Sequence, residues 1–130
     1  MHADDNTPTP YELLGGDPAI RAIVERFYDL MDRDPAYAAL RGIHGPDLGP
    51  MRDKLCDWFS EWLGGPRRYH ARADAKCIGA AHAPYAIDAA MRDEWLACMQ
   101  RAIDETGASD AAQARIRPAM VGMAEFLRNC

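Results

Sequence analysis

A single histidine stands in the stretch CIGAAHAPYAI, residues 77–87. His82 follows Ala80 and Ala81 and precedes Ala83-Pro84-Tyr85, with no Ser, Asp or Glu beside it in sequence to make it a catalytic base. Two readings are open. A histidine in such a place is commonly structural, its ring hydrogen taken by a backbone carbonyl. It can also be a metal ligand, because neutral imidazole binds iron well and one histidine is enough where a porphyrin supplies four further nitrogens. Small neighbours would let a flat macrocycle lie against the helix. The proline just beyond would end that helix and fix the direction of the ring.

Three other residues invite the same weighing. Tyr28 follows Phe27 at the edge of an apolar stripe, so its hydroxyl faces either solvent or a cavity, and in a cavity it needs a partner. Trp95 is either a large core residue or an indole N–H donor. His44 lies in the Gly/Pro-rich stretch RGIHGPDLGP, where a solvent-exposed role is the alternative. Other chemistries are poorly supported. LLGGDP and LGGP are helix stops rather than phosphate loops, and there is no H-E-x-x-H motif. Cys77 is five residues before His82, which is not the C-x-x-C-H spacing of covalently attached haem.

The elements that must position these residues are helical. Asp17-Pro18 is a helix start, and Ile20, Ile23, Val24, Phe27 and Met31 recur at spacings of three and four until Pro35. Pro50 opens a second long helix with an apolar set of Met51, Leu55, Trp58, Phe59 and Trp62, closed by Gly64-Gly65-Pro66. A short helix is predicted near 74–81. Asp88 caps another carrying Met91, Trp95, Cys98, Met99, Ala102 and Ile103. A last helix runs from Ser109 or Asp110 to about Asn129, with Pro118 expected to kink or interrupt it. No alternating apolar runs read as strands. The expectation is an all-α chain of about five helices: a disordered extension over 1–9 and a single domain over 10–130.

Bulk properties narrow the partners. A chain of 130 residues buries roughly 65–70% of its unfolded surface, enough to enclose a ligand. Its net charge of −5 argues against nucleic acid. No run approaches the roughly 20 apolar residues of a membrane span. The polar start MHADDNTPTP lacks the apolar centre of a signal peptide, and four cysteines without C-x-x-C spacing suit reduced thiols, so a cytoplasmic location is expected.

Taken together, YELLGG, VERFYDLM, LRGIHGPDL, FSEWLGGP, AAHAPYAI and RDEWLACMQRAIDE occur in an order and spacing that resembles the group II truncated haemoglobins, from about residue 10 to 128. The resemblance implies a two-over-two helical sandwich around non-covalent haem b, with His82 as the iron ligand. It implies distal hydrogen-bond donors at Tyr28, Trp95 and His44, and a pocket lined by Phe27, Met51, Leu55, Trp58 and Phe59. Met51 falls where other globins often carry a distal histidine. The small ligands implied are O2, NO, CO or peroxide, bound tightly by fixed donors in a dry pocket. Turnover as a nitric oxide dioxygenase or peroxidase is the alternative and would need an external reductase. A haem-free interaction or sensor module is the further alternative. A monomer and a homodimer both fit.

One stretch departs from the family pattern. Family members carry basic residues directly before the proximal histidine; here those places are Gly79, Ala80 and Ala81, and only Lys76 is basic. Arg52, Lys54, Arg67 and Tyr69 are the substitute candidates for holding the haem propionates.

Overall fold

The structure, a computed structural model, describes residues 7–130. Most of the expected 1–9 extension therefore lies outside the described residues. Its last member, Thr9, caps helix α1 (Pro10–Leu14). The Thr9 hydroxyl accepts from the Glu12 amide at 3.1 Å, and the Glu12 carboxylate accepts from the Thr9 amide at 2.9 Å. Two otherwise unpaired donors at the helix start are thereby satisfied. Gly15, at φ 115°, ends α1 in the left-handed region that glycine adopts without strain.

Helix α2 (Asp17–Arg33) begins at Gly16 rather than at an Asp17 cap, with Pro18 in its first turn. The Asp17 carboxylate instead takes the Tyr11 hydroxyl and both Arg68 Nη atoms. Asp34 ends α2 and caps a 3-10 turn over Pro35–Tyr37, which runs into a short helix α3 (Ala38–Gly42). Helix α4 (Gly49–Trp62) begins one residue before the predicted Pro50, which sits in its first turn. Its closing glycines receive the first turn of the chain. A Cβ on Gly65 would lie 2.6 Å from the Tyr11 ring and 2.8 Å from the Ser60 carbonyl, so only glycine fits there.

Helix α5 (Ile78–His82) is shorter than the predicted 74–81 helix and starts from a Cys77 cap. Helix α6 (Ala89–Glu105) is capped by Asp88, and α7 (Asp110–Leu127) by Ser109. Pro118 does not interrupt α7, contrary to expectation: the helix runs through it unbroken. Pro118 and Ala114, whose carbonyl loses its partner, are both exposed, so that carbonyl is not stranded in the core.

The architecture is the all-helical two-over-two sandwich. α2 packs on α4 to form one pair, α6 on α7 to form the other, and α2 lies against α6 between them. The core joins Ile20, Val24, Phe27 and Met31 of α2 to Phe59 of α4, Met99 and Ile103 of α6, and Ile116 and Met120 of α7. Fully burying one such side chain is worth roughly 1.5–3 kcal/mol, so these four helices form the rigid frame. α5 contributes nothing to it, having no buried residue.

Candidate functional site

His82 is the last residue of α5 and is half-buried. Its Nδ1 lies 2.8 Å from the Ile78 carbonyl one turn earlier. A carbonyl only accepts, so Nδ1 carries the hydrogen and the neutral ring presents a bare Nε2 lone pair. That nitrogen has no partner among the described residues. A backbone bond on one ring nitrogen with the other left free is the arrangement that orients a histidine for a metal.

Tyr28 sits on α2 at 2% exposure, its ring 5.0 Å from that of Phe27 and 5.9 Å, edge to face, from that of His44. Its hydroxyl makes no hydrogen bond with the described residues, yet no fully sealed, unpaired side-chain polar atom is found among them. The hydroxyl therefore opens onto accessible space. Burial pushes the phenol well above its usual acidity range, against the opposing pull of Arg52, so Tyr28 keeps its proton and can donate it in a hydrogen bond. Trp95 of α6 joins the same group through Phe27, ring centres 5.8 Å apart.

His44 follows α3. Its Nδ1 lies 2.8 Å from the Leu40 carbonyl. Burial, above all, pushes its pKa below the usual histidine value; the bond to Leu40 works the other way, and the positive charge of Arg41 adds to the lowering, as does His82 whenever its ring is protonated. A neutral His44 with its hydrogen on Nδ1 offers an acceptor at Nε2. With Nδ1 given to Leu40, the ring in its neutral form has no second hydrogen to donate toward a ligand.

Sequence reasoning missed the residue that holds this corner. The Glu94 carboxylate accepts from the Leu40 amide at 2.9 Å, so α6 grips the same peptide that His44 uses. The adjacent glutamate and tryptophan in RDEWL were the available signal. Arg41 closes the loop, donating to the Gly45 carbonyl at 2.9 Å and pairing with Asp32.

The remaining candidates divide. Phe27 and Phe59 are core residues at 1% exposure, whereas Met51, Leu55 and Trp58 keep open apolar surface. Trp58 stacks on Trp62 with ring centres 5.1 Å apart. Of the four propionate candidates, Arg52 points to Glu25 and Asp29 and Lys54 pairs with Asp74. The Tyr69 hydroxyl is used on both ends of the Lys76 residue's backbone, donating to its carbonyl at 2.7 Å and accepting from its amide at 3.2 Å. Arg67 is exposed and makes no ion pair among the described residues.

The model of the family described as bacterial-like globin matches residues 9–129. The chain belongs to the bacterial-like globins. It is 31% identical over 98 residues to the group 2 truncated haemoglobin of Bacillus subtilis, covering 75% of this chain and 71% of that one. Its fold is similar to that of the group II 2-on-2 haemoglobin of Agrobacterium tumefaciens, with a TM-score of 0.89 and 37% identity, covering 95% of this chain and 96% of the other. It is also similar to a truncated haemoglobin from Bacillus subtilis described as oxygen-avid, with a TM-score of 0.85 and 26% identity, over 94% of this chain and all of that one (100%). Globin membership implies haem binding, and the residues present fit that group: a free Nε2 on His82, an unpartnered hydroxyl on Tyr28, and half-buried apolar side chains on α4 and α6.

Proposed function

We propose that this globin binds haem b through His82 Nε2 and retains O2, with NO, CO or peroxide as further ligands, beside Tyr28 and Trp95. The observation that carries the reading is the pairing of a metal-ready His82 with a buried tyrosine whose hydroxyl has no hydrogen-bond partner among the described residues. Haem, once bound, supplies the iron valence at which a diatomic ligand is held. The protein supplies the rest. Tyr28 Oη and Trp95 Nε1 donate toward a ligand, and His44, neutral, accepts. Phe27, Leu55 and Trp58 exclude water, which strengthens each polar contact. Of the four candidates, Arg67 is the side chain with no ion pair among the described residues and would meet a propionate, with Lys54 a second cation if Asp74 releases it. The Bacillus subtilis protein described as oxygen-avid supports the emphasis on tight retention.

Hydrogen bonds to a charged acceptor contribute roughly 1.5–3 kcal/mol each, so losing one should speed oxygen release by about ten-fold or more. Any redox turnover would draw on an external reductase. The free thiols fit a reducing compartment, and the cytoplasm is the location we assign. Stopped-flow oxygen dissociation from Tyr28→Phe and Trp95→Phe tests the reading. Both variants should release oxygen faster; release from both at the unmodified rate refutes the donor assignment.

A further inference from the structure

We propose that Asn129, the penultimate residue, is a positioning residue for His82. The inference rests on the reading of His82 as the iron ligand. It starts from a mismatch: the helix carrying that ligand buries none of its residues. The core therefore does not hold α5 in place, and a few attachments at its two ends must.

Upstream, Tyr69 fastens the Lys76 backbone just before the Cys77 cap. Downstream, the segment after His82 is fastened by the C-terminus. Asn129 Oδ1 accepts from the Ile87 amide at 2.8 Å, and Asn129 Nδ2 donates to the Tyr85 carbonyl at 2.8 Å. The Asn129 amide itself donates to the Ile87 carbonyl at 2.8 Å, joined by the Cys130 amide at 3.3 Å. The side chain amide thus bridges two backbone groups of one short loop while the backbone of the same residue binds a third. This is the pattern of an added strand-like clamp rather than a chance surface contact.

Two further observations place the clamp beside the ligand. The Tyr85 amide donates to the His82 carbonyl at 3.0 Å, so the Tyr85 that Asn129 holds is itself bonded to His82. At α5 itself, the Phe126 ring of α7 lies 3.8 Å from where a Cβ of Gly79 would stand. The end of α7 therefore touches α5 on one face and pins its exit with Asn129. Ile87 is buried at 7% exposure, so the residue the clamp holds is fixed by burial as well as by hydrogen bonds. Asn129 sets where His82 stands by fixing the loop that α5 runs into.

The test uses the full-length, haem-loaded protein and three variants, Asn129→Ala, Asn129→Asp and His82→Ala. Three readouts are needed: amide exchange across 83–88 and across α2, the iron–histidine stretching band of the ferrous protein, and haem transfer to excess apomyoglobin. Asn129→Ala should raise Ile87 exchange about ten-fold while leaving α2 unchanged. It should also shift or broaden the iron–histidine band and speed haem loss about three- to ten-fold. Asn129→Asp keeps the acceptor for Ile87 but loses the donor to Tyr85, and should fall between. If Asn129→Ala loosens the loop but leaves band and haem loss unchanged, the residue does not position His82. If α2 exchange rises with the loop, its role is general stability and the proposal fails equally. His82→Ala separates the underlying reading: survival of the unmodified band in that variant overturns the ligand assignment without reference to Asn129.

Discussion

The guanidinium of Arg52 lies over the ring of Tyr28, 5.6 Å from its centre. The same group donates to the Glu25 carbonyl at 3.2 Å, to the Glu25 carboxylate and to Asp29 at 3.1 Å. Arg52 thus ties α4 to the stretch of α2 that carries Tyr28. The residue proposed as a propionate candidate is thus already paired with two carboxylates of α2. Arg52→Met keeps the aliphatic stem but removes the charge. We expect a loss of about 1–2 kcal/mol, the combined worth of partly exposed ion pairs and a cation–ring contact, measured as the shift of a urea midpoint. Unchanged stability together with weakened haem binding would restore the propionate role.

The Tyr28 hydroxyl separates stability from function. Because it makes no hydrogen bond with the described residues, Tyr28→Phe removes none of theirs. The unfolding free energy of the haem-free protein should then change by less than about 0.5 kcal/mol. A destabilisation of about 1 kcal/mol or more would mean that the hydroxyl serves the fold rather than a ligand.

His44 contributes a pH dependence whose sign follows from its burial. The Leu40 carbonyl, Arg41 and His82 are the polar and charged groups that act on it, and its folded pKa lies below the ordinary value of 6.5. The unfolded chain therefore takes up a proton at a higher pH than the folded one. Stability from neutral His44 is complete above about pH 6.5 and is lost as pH falls from there through the folded pKa. Between pH 7.5 and 5.5, His44→Gln should lose less stability than the unmodified protein. Parallel losses in the two proteins would show that His44 does not titrate in this way.

Much of this was readable before the structure, for reasons that differ by element. α2 and α4 carry apolar residues at helical spacing and are bounded by Pro18, Pro50 and glycine stops, so local rules place them. α3 was not legible: residues 38–42 have no periodic stripe of their own, and the Glu94 carboxylate from α6 holds the Leu40 amide there. α5 came out too long in the sequence reading because 74–77 are polar and small, and the Tyr69 bond to Lys76 holds that stretch out of the helix. His82 was legible as a candidate because its surroundings are so plain. The donor sense of His44 was not, since it depends on which carbonyl its Nδ1 meets. The Asn129 contacts span 42 and 44 positions, far beyond any local pattern.

The cysteines give the last prediction, one that probes the interface behind Tyr28 and Trp95. Cys98 is fully buried on α6, and its thiol donates to the Phe27 carbonyl at 3.4 Å, just behind Tyr28. Burial pushes its pKa up to about 12, and that of buried Cys56 up to about 11. Thiolate is the reactive form, so at pH 8 both should be nearly inert in the folded protein. Cys77 and Cys130 are exposed. A disulfide-exchange reagent such as dithionitrobenzoate should therefore titrate two thiols quickly and the other two only as the protein opens. Reaction at Cys98 requires α2 and α6 to part, which would also open the wall behind Tyr28. Its rate should then follow global unfolding in urea rather than local loop motion. If four thiols react at one rate under native conditions, the contact between Cys98 and Phe27 does not persist in solution, and the frame assigned to Tyr28 and Trp95 is looser than the structure describes.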